Sequence, residues 1–337
     1  MAALAKALED ASGLDYATFV SDNRTSRYVF LAGFVILVYD HLLTLKDEVK
    51  YVWSTKLRPS TCWFLAMRYT GLVGNITVAM WHFADVSQEF DYSLAFKEVS
   101  SFTPVPLMLN HSTDSCVNLQ WAWTFLIVLL ETFIEVTLAI RVYAMYGLNR
   151  WILGILLSAA GFILASGMLA MVDFGKDPNR HDLMTAFNGC ATILPRSSAV
   201  LPAAVWEATV MCDILVFVLT VRKAFIQRRS DMMFSGSLIQ RMATDGSMYF
   251  GIIILSNLAN VMSFYLGDAL IAGFLSWFTT SLSLTLLSRL MLNLHDVGSV
   301  RFRTIDHDHT TTTDHDHEMV HFALPIRVAP VDDGALK

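Results

Sequence analysis

The chain has 337 residues, a net charge of −6, 54% hydrophobic residues and only 16% charged ones. A soluble domain carries about 25% charged residues, so an ordinary water-facing surface is excluded. No Lys/Arg cluster interleaved with aromatic residues exists to engage nucleic acid, and none is expected as a partner.

Residues Met1 to Ser26 hold Lys6, Glu9, Asp10, Asp15, Asp22 and Arg24 and no apolar core. A cleavable signal peptide is therefore not expected, and the first apolar run reads as an uncleaved signal-anchor. Seven runs then follow: Tyr28–Leu45, Thr61–Phe83, Leu119–Tyr143, Trp151–Val172, Ala203–Val221, Met248–Leu266 and Leu270–Leu292. Each is near the roughly 20 residues that a helix needs to cross the hydrocarbon core. Only Gly267, Asp268 and Ala269 separate the last two, which predicts a tight helical hairpin. All eight prolines fall outside the seven runs, which weighs against the broken helices of many transporters.

Orientation follows from Lys/Arg in short loops. Lys46, Lys50, Lys56 and Arg58 follow the first run, Arg141 and Arg150 flank the end of the third, and Arg222, Lys223, Arg228, Arg229 and Arg241 follow the fifth. The alternate loops are poorer in basic residues. The bias predicts an all-α, polytopic seven-transmembrane helix bundle with the N-terminus outside and the C-terminus cytoplasmic. Residues 1–27 read as an extracellular tail, 28–295 as the helical domain, and 296–337 as an unstructured cytoplasmic tail carrying Asp-His repeats.

With that topology, Asn110-His111-Ser112 is a glycosylation sequon in an outer loop, and Asn23-Arg24-Thr25 lies outside near the membrane. Asn75-Ile76-Thr77 falls inside the second span and is expected to be inaccessible. Of the four cysteines, Cys62 and Cys212 fall at the inner end of span two and within span five. Only Cys116 and Cys190 face the oxidising side, which predicts a disulfide tying the second outer loop to the top of span three.

Ionisable groups within a bilayer are expensive and face the bundle interior. Five acids lie in the spans, Asp40, Glu131, Glu135, Glu207 and Asp213, against Arg68, and Arg141 and Arg289 near inner helix ends. At about 1.5 Å per residue, Asp40, Arg68, Glu135 and Arg289 come to similar depth on the cytoplasmic side, with Asp213 as a further member. This buried polar network is open to three readings: a structural lock, a switch that breaks on activation, or a proton or cation site. Glu131 and Glu207 have no evident cationic partner, and with Asn257 and Asn260 they form a candidate pocket or ion path.

Several chemistries are missing. No span contains the lysine that a retinal Schiff base requires. His41, His82 and His295 do not share a depth with enough carboxylates for a catalytic metal, and no nucleophile motif stands near a histidine. No enzyme activity, cofactor or metal centre is expected.

Tyr39-Asp40-His41-Leu42-Leu43-Thr44-Leu45, then Glu48-Val49, Val52-Trp53 and Arg68-Tyr69, resembles the N-terminal signature of a family of fungal, mainly basidiomycete, seven-helix membrane proteins known only as a domain of unknown function. Arg141-Val142-Tyr143-Ala144-Met145-Tyr146-Gly147, Asp245-Gly246 with Tyr249-Phe250, and Ser288-Arg289-Leu290-Met291-Leu292-Asn293-Leu294 are similar to the same family. The resemblance implies seven spans and no established activity. The layout is also similar to a G-protein-coupled receptor, with departures: Ile140 and not an acid precedes Arg141, span six has no proline after a tryptophan, and span seven lacks Asn-Pro-x-x-Tyr. The likeness is one of architecture.

The expected function is a receptor-like or sensor protein of the plasma membrane or secretory pathway. Its partners would be the lipid bilayer, a small ligand on the outer side, and a cytoplasmic partner at the basic inner loops. The alternative is a transporter or channel for a proton, cation or small solute.

Overall fold

The computed structural model describes residues 16–54, 59–83, 114–174, 196–230, 238–268 and 271–308. Among them are seven α-helices and no strand. They are α1 (Tyr16–Glu48, continued by a π-helical turn Val49–Trp53), α2 (Pro59–Phe83), α3 (Asp114–Met145), α4 (Arg150–Phe174), α5 (Arg196–Ser230), α6 (Leu238–Leu266) and α7 (Ser276–Asp308). Four of the helical stretches are long and apolar enough to cross a membrane: Val20–Trp53, Arg150–Ala170, Ala199–Ile226 and Met248–Leu266.

Consecutive helices are neighbours, and α7 returns to α1, so the helices close a ring. Two lie toward its centre. Helix α3 touches α2, α4, α5 and α7, and α7 touches α1, α2, α3 and α6. Contacts alternate as an up-and-down bundle requires: Asn75, late in α2, meets Ser281, early in α7, whereas Trp63, early in α2, meets Thr137, late in α3. The core joins Phe30 and Leu37 of α1, Met67 of α2, Leu130, Ile134 and Leu138 of α3, Val216 of α5, Ile253 of α6, and Trp277, Leu284 and Leu287 of α7.

The sequence of α7 explains its central place. Ser276, Thr279, Thr280, Ser281, Ser283, Thr285 and Ser288 are all buried. Small side chains let helices approach closely in an apolar medium, and hydroxyls satisfy themselves on the preceding turn: Thr279 donates to the Ser276 carbonyl (3.0 Å) and Thr285 to that of Ser281 (2.8 Å). Gly33 of α1 is part of the same fit, since a Cβ there would stand 3.0 Å from the Phe278 backbone. Helix α4 is the opposite case. Leu156 is buried, but Trp151, Leu157, Phe162, Met168 and Leu169 are exposed. A helix with that face suggests a lipid environment.

Two corners are specified locally. After α3, Gly147 (φ 65°) and Leu148 (φ 61°) take left-handed backbone. Gly147 N–H donates to the Ala144 carbonyl and Leu148 N–H to that of Tyr143, both at 3.1 Å, the Schellman pattern. Asn149 then caps α4 by accepting from Trp151 N–H (2.9 Å). At the α6–α7 corner the Asp268 carbonyl accepts from Ile271 and Ala272 (2.9 Å each), and Gly273 (φ 76°) donates to Ser263 Oγ (3.1 Å).

Several boundaries differ from expectation: α5 runs from Arg196 to Ser230, not from Ala203 to Val221, and α6 begins at Leu238, before Met248. Helix α1 begins at Tyr16, so part of the segment assigned to an extracellular tail, including the Asn23 sequon, is helical. The segment from Ile271 to Leu275 is a turn, and α7 starts at Ser276, not at Leu270. Helix α7 runs on to Asp308, into the segment read as an unstructured tail. Pro202 lies inside α5, six residues after Arg196 and past the four unpaired N–H groups of a helix start, so one i→i−4 backbone hydrogen bond is lost there.

Candidate functional site

The polar residues singled out from the sequence divide into two groups. The first sits where α1 ends. Arg68 of α2 pairs with Glu48 of α1, Nε to Oε2 at 2.9 Å, with side chains 2% and 0% exposed. Arg68 Nη2 also donates to the His41 carbonyl (3.1 Å) and to Thr44 Oγ1 (2.7 Å). Glu48 Oε1 accepts from Trp53 Nε1 and from the Tyr69 hydroxyl, each at 3.0 Å. The π-helical turn, a feature frequent at functional sites, carries Trp53 back to Glu48. Arg289 of α7 pairs with Asp40 of α1. The two pairs are linked through Thr44, whose hydroxyl donates to the Asp40 carbonyl (2.7 Å) and accepts from Arg68. Three helices are thus tied at one end of the bundle by two charge-assisted contacts.

The second group lies deeper, among α3, α5, α6 and α7. Asn257 Nδ2 donates to Asp213 Oδ2 at 2.8 Å, and the Thr280 hydroxyl donates to Glu131. Glu135 and Asp213 are both buried. Glu135 Oε1 and Asn257 Oδ1 are buried without a hydrogen-bond partner. Asn260 donates to Ser276 Oγ (3.1 Å) beyond this cluster. Glu207 is apart, on the exposed face of α5, accepting from the Tyr265 hydroxyl. Among the described residues no three His, Cys, Asp or Glu side chains converge as a metal-ion cluster would require.

The single network expected from Asp40, Arg68, Glu135, Arg289 and Asp213 is therefore not one array. Asp40 and Arg289 do meet. Arg68 takes Glu48, a residue outside the apolar run, and Glu135 and Asp213 stand with Asn257 and Glu131 instead. Glu207 does not join Glu131, Asn257 and Asn260 in a continuous path. Arg141 faces the Phe250 ring (5.6 Å) with Nη1 buried and without a hydrogen-bond partner. Asn75 is fully buried, donates to the Gly71 carbonyl (2.9 Å) and accepts from Ser281 (2.9 Å), which places that sequon out of reach. Asn110, Cys190 and the side chain of Cys116 lie outside the described residues, so the glycan and the disulfide are not addressed by the structure.

A helical bundle with membrane-like helices and one fully buried ion pair, Glu48–Arg68, is the class these features define. Residues 28–73, which hold Asp40, Glu48 and Arg68, match a family of unknown function (DUF6533). No curated protein and no solved structure matches the chain.

Proposed function

We propose that the chain is a seven-span membrane protein of receptor or sensor type, N-terminus outside and C-terminus cytoplasmic, in the plasma membrane or secretory pathway. The observation that carries this reading is the pair of ties at one end of the bundle, Glu48–Arg68 and Asp40–Arg289. The Lys/Arg bias puts that end inside. A ligand entering from outside that favours displacement of α7 from α1 has to separate Asp40 from Arg289, and it moves the equilibrium only by its differential affinity for the two arrangements. Shifting a 1:99 population to 99:1 takes about 5.5 kcal/mol, a scale that one or two broken charge pairs can set. The basic inner loops then meet a cytoplasmic partner. The likeness of the α1 signature to fungal seven-helix proteins and the receptor-like layout support the same reading, which assigns no catalytic role. The Cys116–Cys190 bridge and a glycan on Asn110 belong to it as outer-side features.

A transporter or channel is less well supported, because Glu207 is separated from Glu131, Glu135 and Asp213. The test compares full-length protein with Asp40→Asn in two assays: proximity labelling from a C-terminal tag in cells, and proton or cation flux in proteoliposomes. The receptor reading expects a changed set of labelled cytoplasmic proteins in Asp40→Asn and flux no greater than in empty liposomes. Flux that Glu131→Gln abolishes would overturn it.

A further inference from the structure

The end of the bundle opposite the two ion pairs carries negative charge beside a cavity. Helices α1 and α7 run side by side in the same direction, since Phe30 meets Trp277 and Asp40 meets Arg289. Asp22 stands eleven residues before Gly33, about 20° from it around α1 and about 16 Å further out. Gly33 packs on the Phe278 backbone, and α7 starts only at Ser276. Asp22 is therefore turned toward the corner that joins α6 to α7. It is 8% exposed, and its Oδ2 is buried without a hydrogen-bond partner. Asp268 of that corner is close enough for the two carboxylates to repel each other. Arg24 and Arg27 are exposed on other faces of α1, and the ion pairs among the described residues lie at the inner end. A buried carboxylate oxygen left without a donor is costly, and a like charge beside it adds to the cost. A positive occupant removes both.

The same corner holds a cavity of about 330 Å³, where Met262 and Leu266 of α6 face Ile271 and Phe274 of the turn and Asp268 supplies the charge. Ser263 spends its hydroxyl on the Asn260 carbonyl and the Gly273 N–H, which fixes the corner. A cavity of a few hundred Å³ suits a small organic ligand. The walls decide its chemistry. A hard metal ion takes six or more oxygens, and among the described residues no three His, Cys, Asp or Glu side chains converge. An organic ammonium needs only the carboxylates, gains from an aromatic face such as Phe274, and lays its apolar part on the walls. We propose that Asp22 and Asp268 hold the ammonium group of an organic amine whose apolar body fills the cavity at the α6–α7 corner. The assignment names the chemical class of the outer ligand and rests on the receptor reading for its sidedness.

The experiment melts the purified full-length chain in detergent, at fixed pH and ionic strength, with phenethylamine, with neutral phenethyl alcohol, with phosphatidylethanolamine or with phosphatidylglycerol. A saturable rise of about 5 °C at a hundredfold excess over Kd is expected from an amine and not from its amine-free counterpart. A response to phenethylamine assigns a soluble ligand, and a response to phosphatidylethanolamine alone assigns a membrane lipid. Asp268→Asn loses the rise. Asp22→Asn loses it too, and melts higher than wild type without ligand because the repulsion is gone. Should one variant fail to fold, the other decides. No difference between either amine and its counterpart overturns the proposal, and so does a full amine-dependent rise retained in either variant. Melting reports binding alone, so its failure leaves the proximity-labelling result standing, and a failed labelling result leaves amine binding standing.

Discussion

Arg68→Ala is the most informative single substitution. It removes the ion pair to Glu48 and both donations to α1, to the His41 carbonyl and to Thr44. The Glu48 carboxylate stays behind, buried, with only Trp53 and Tyr69 as donors. Removing one partner of a buried pair costs about 3–5 kcal/mol, mostly through the stranded charge. At about 2–3 °C per kcal/mol for a chain of this size, that is a fall in melting temperature of about 6–15 °C, measured by tryptophan fluorescence in detergent. Glu48→Gln in the same background removes the stranded charge and should restore part of the loss. The recovery is a non-additive effect, because neighbouring groups couple and distant ones do not. An Arg68→Ala protein melting within about 1 °C of wild type, or losses in the double variant that simply add, would refute it.

Other predictions follow from single positions. Gly273→Ala places a Cβ against the Phe264 ring on left-handed backbone (φ 76°); a loss of at least about 1 kcal/mol is expected, and adding Phe264→Ala should recover the clash but not the backbone cost. Gly161→Ala meets nothing within 4 Å and should be neutral or raise stability by up to about 1 kcal/mol, read in the same melting assay. In a glycosylating host, Asn110→Gln should abolish the mobility shift produced by glycosidase, whereas Asn75→Gln should leave it unchanged, because Asn75 is fully buried. Tyr265→Phe loses only an exposed contact to Glu207 and should change the melting temperature by about 1 °C or less.

Hydropathy read the helices well where lipid-like surface and length coincide. The end of α6 at Leu266 and nearly all of α4 fall where the apolar runs placed them. It failed where a helix outlasts its apolar run. Ser21, Asp22, Asn23 and Arg24 hide the first turns of α1, and Arg222 and Lys223 hide the last turns of α5. Pro202 stands one residue before the fifth apolar run, which starts at Ala203, yet it lies inside α5.

Depth was legible and direction around the helix axis was not. Counting residues put Asp40 level with Arg289, and they meet. The same count put Glu135 near Arg68, yet α3 turns Glu135 toward Cys212 and Asp213 of α5. Glu48 lies past Leu45, where the apolar run ends, so the run itself does not mark it as the partner of Arg68. The conjunction of Glu48-Val49, Val52-Trp53 and Arg68-Tyr69 in one short signature was the available signal: Glu48, Trp53, Arg68 and Tyr69 form one hydrogen-bonded cluster.

The central claim is that this bundle crosses a bilayer an odd number of times with the first residue outside. Epitope tags on both ends, probed by antibody before and after selective permeabilisation of the plasma membrane, test it most directly. The account predicts an N-terminal tag stained on intact cells and a C-terminal tag stained only after permeabilisation. Both tags reached from the same side would contradict it.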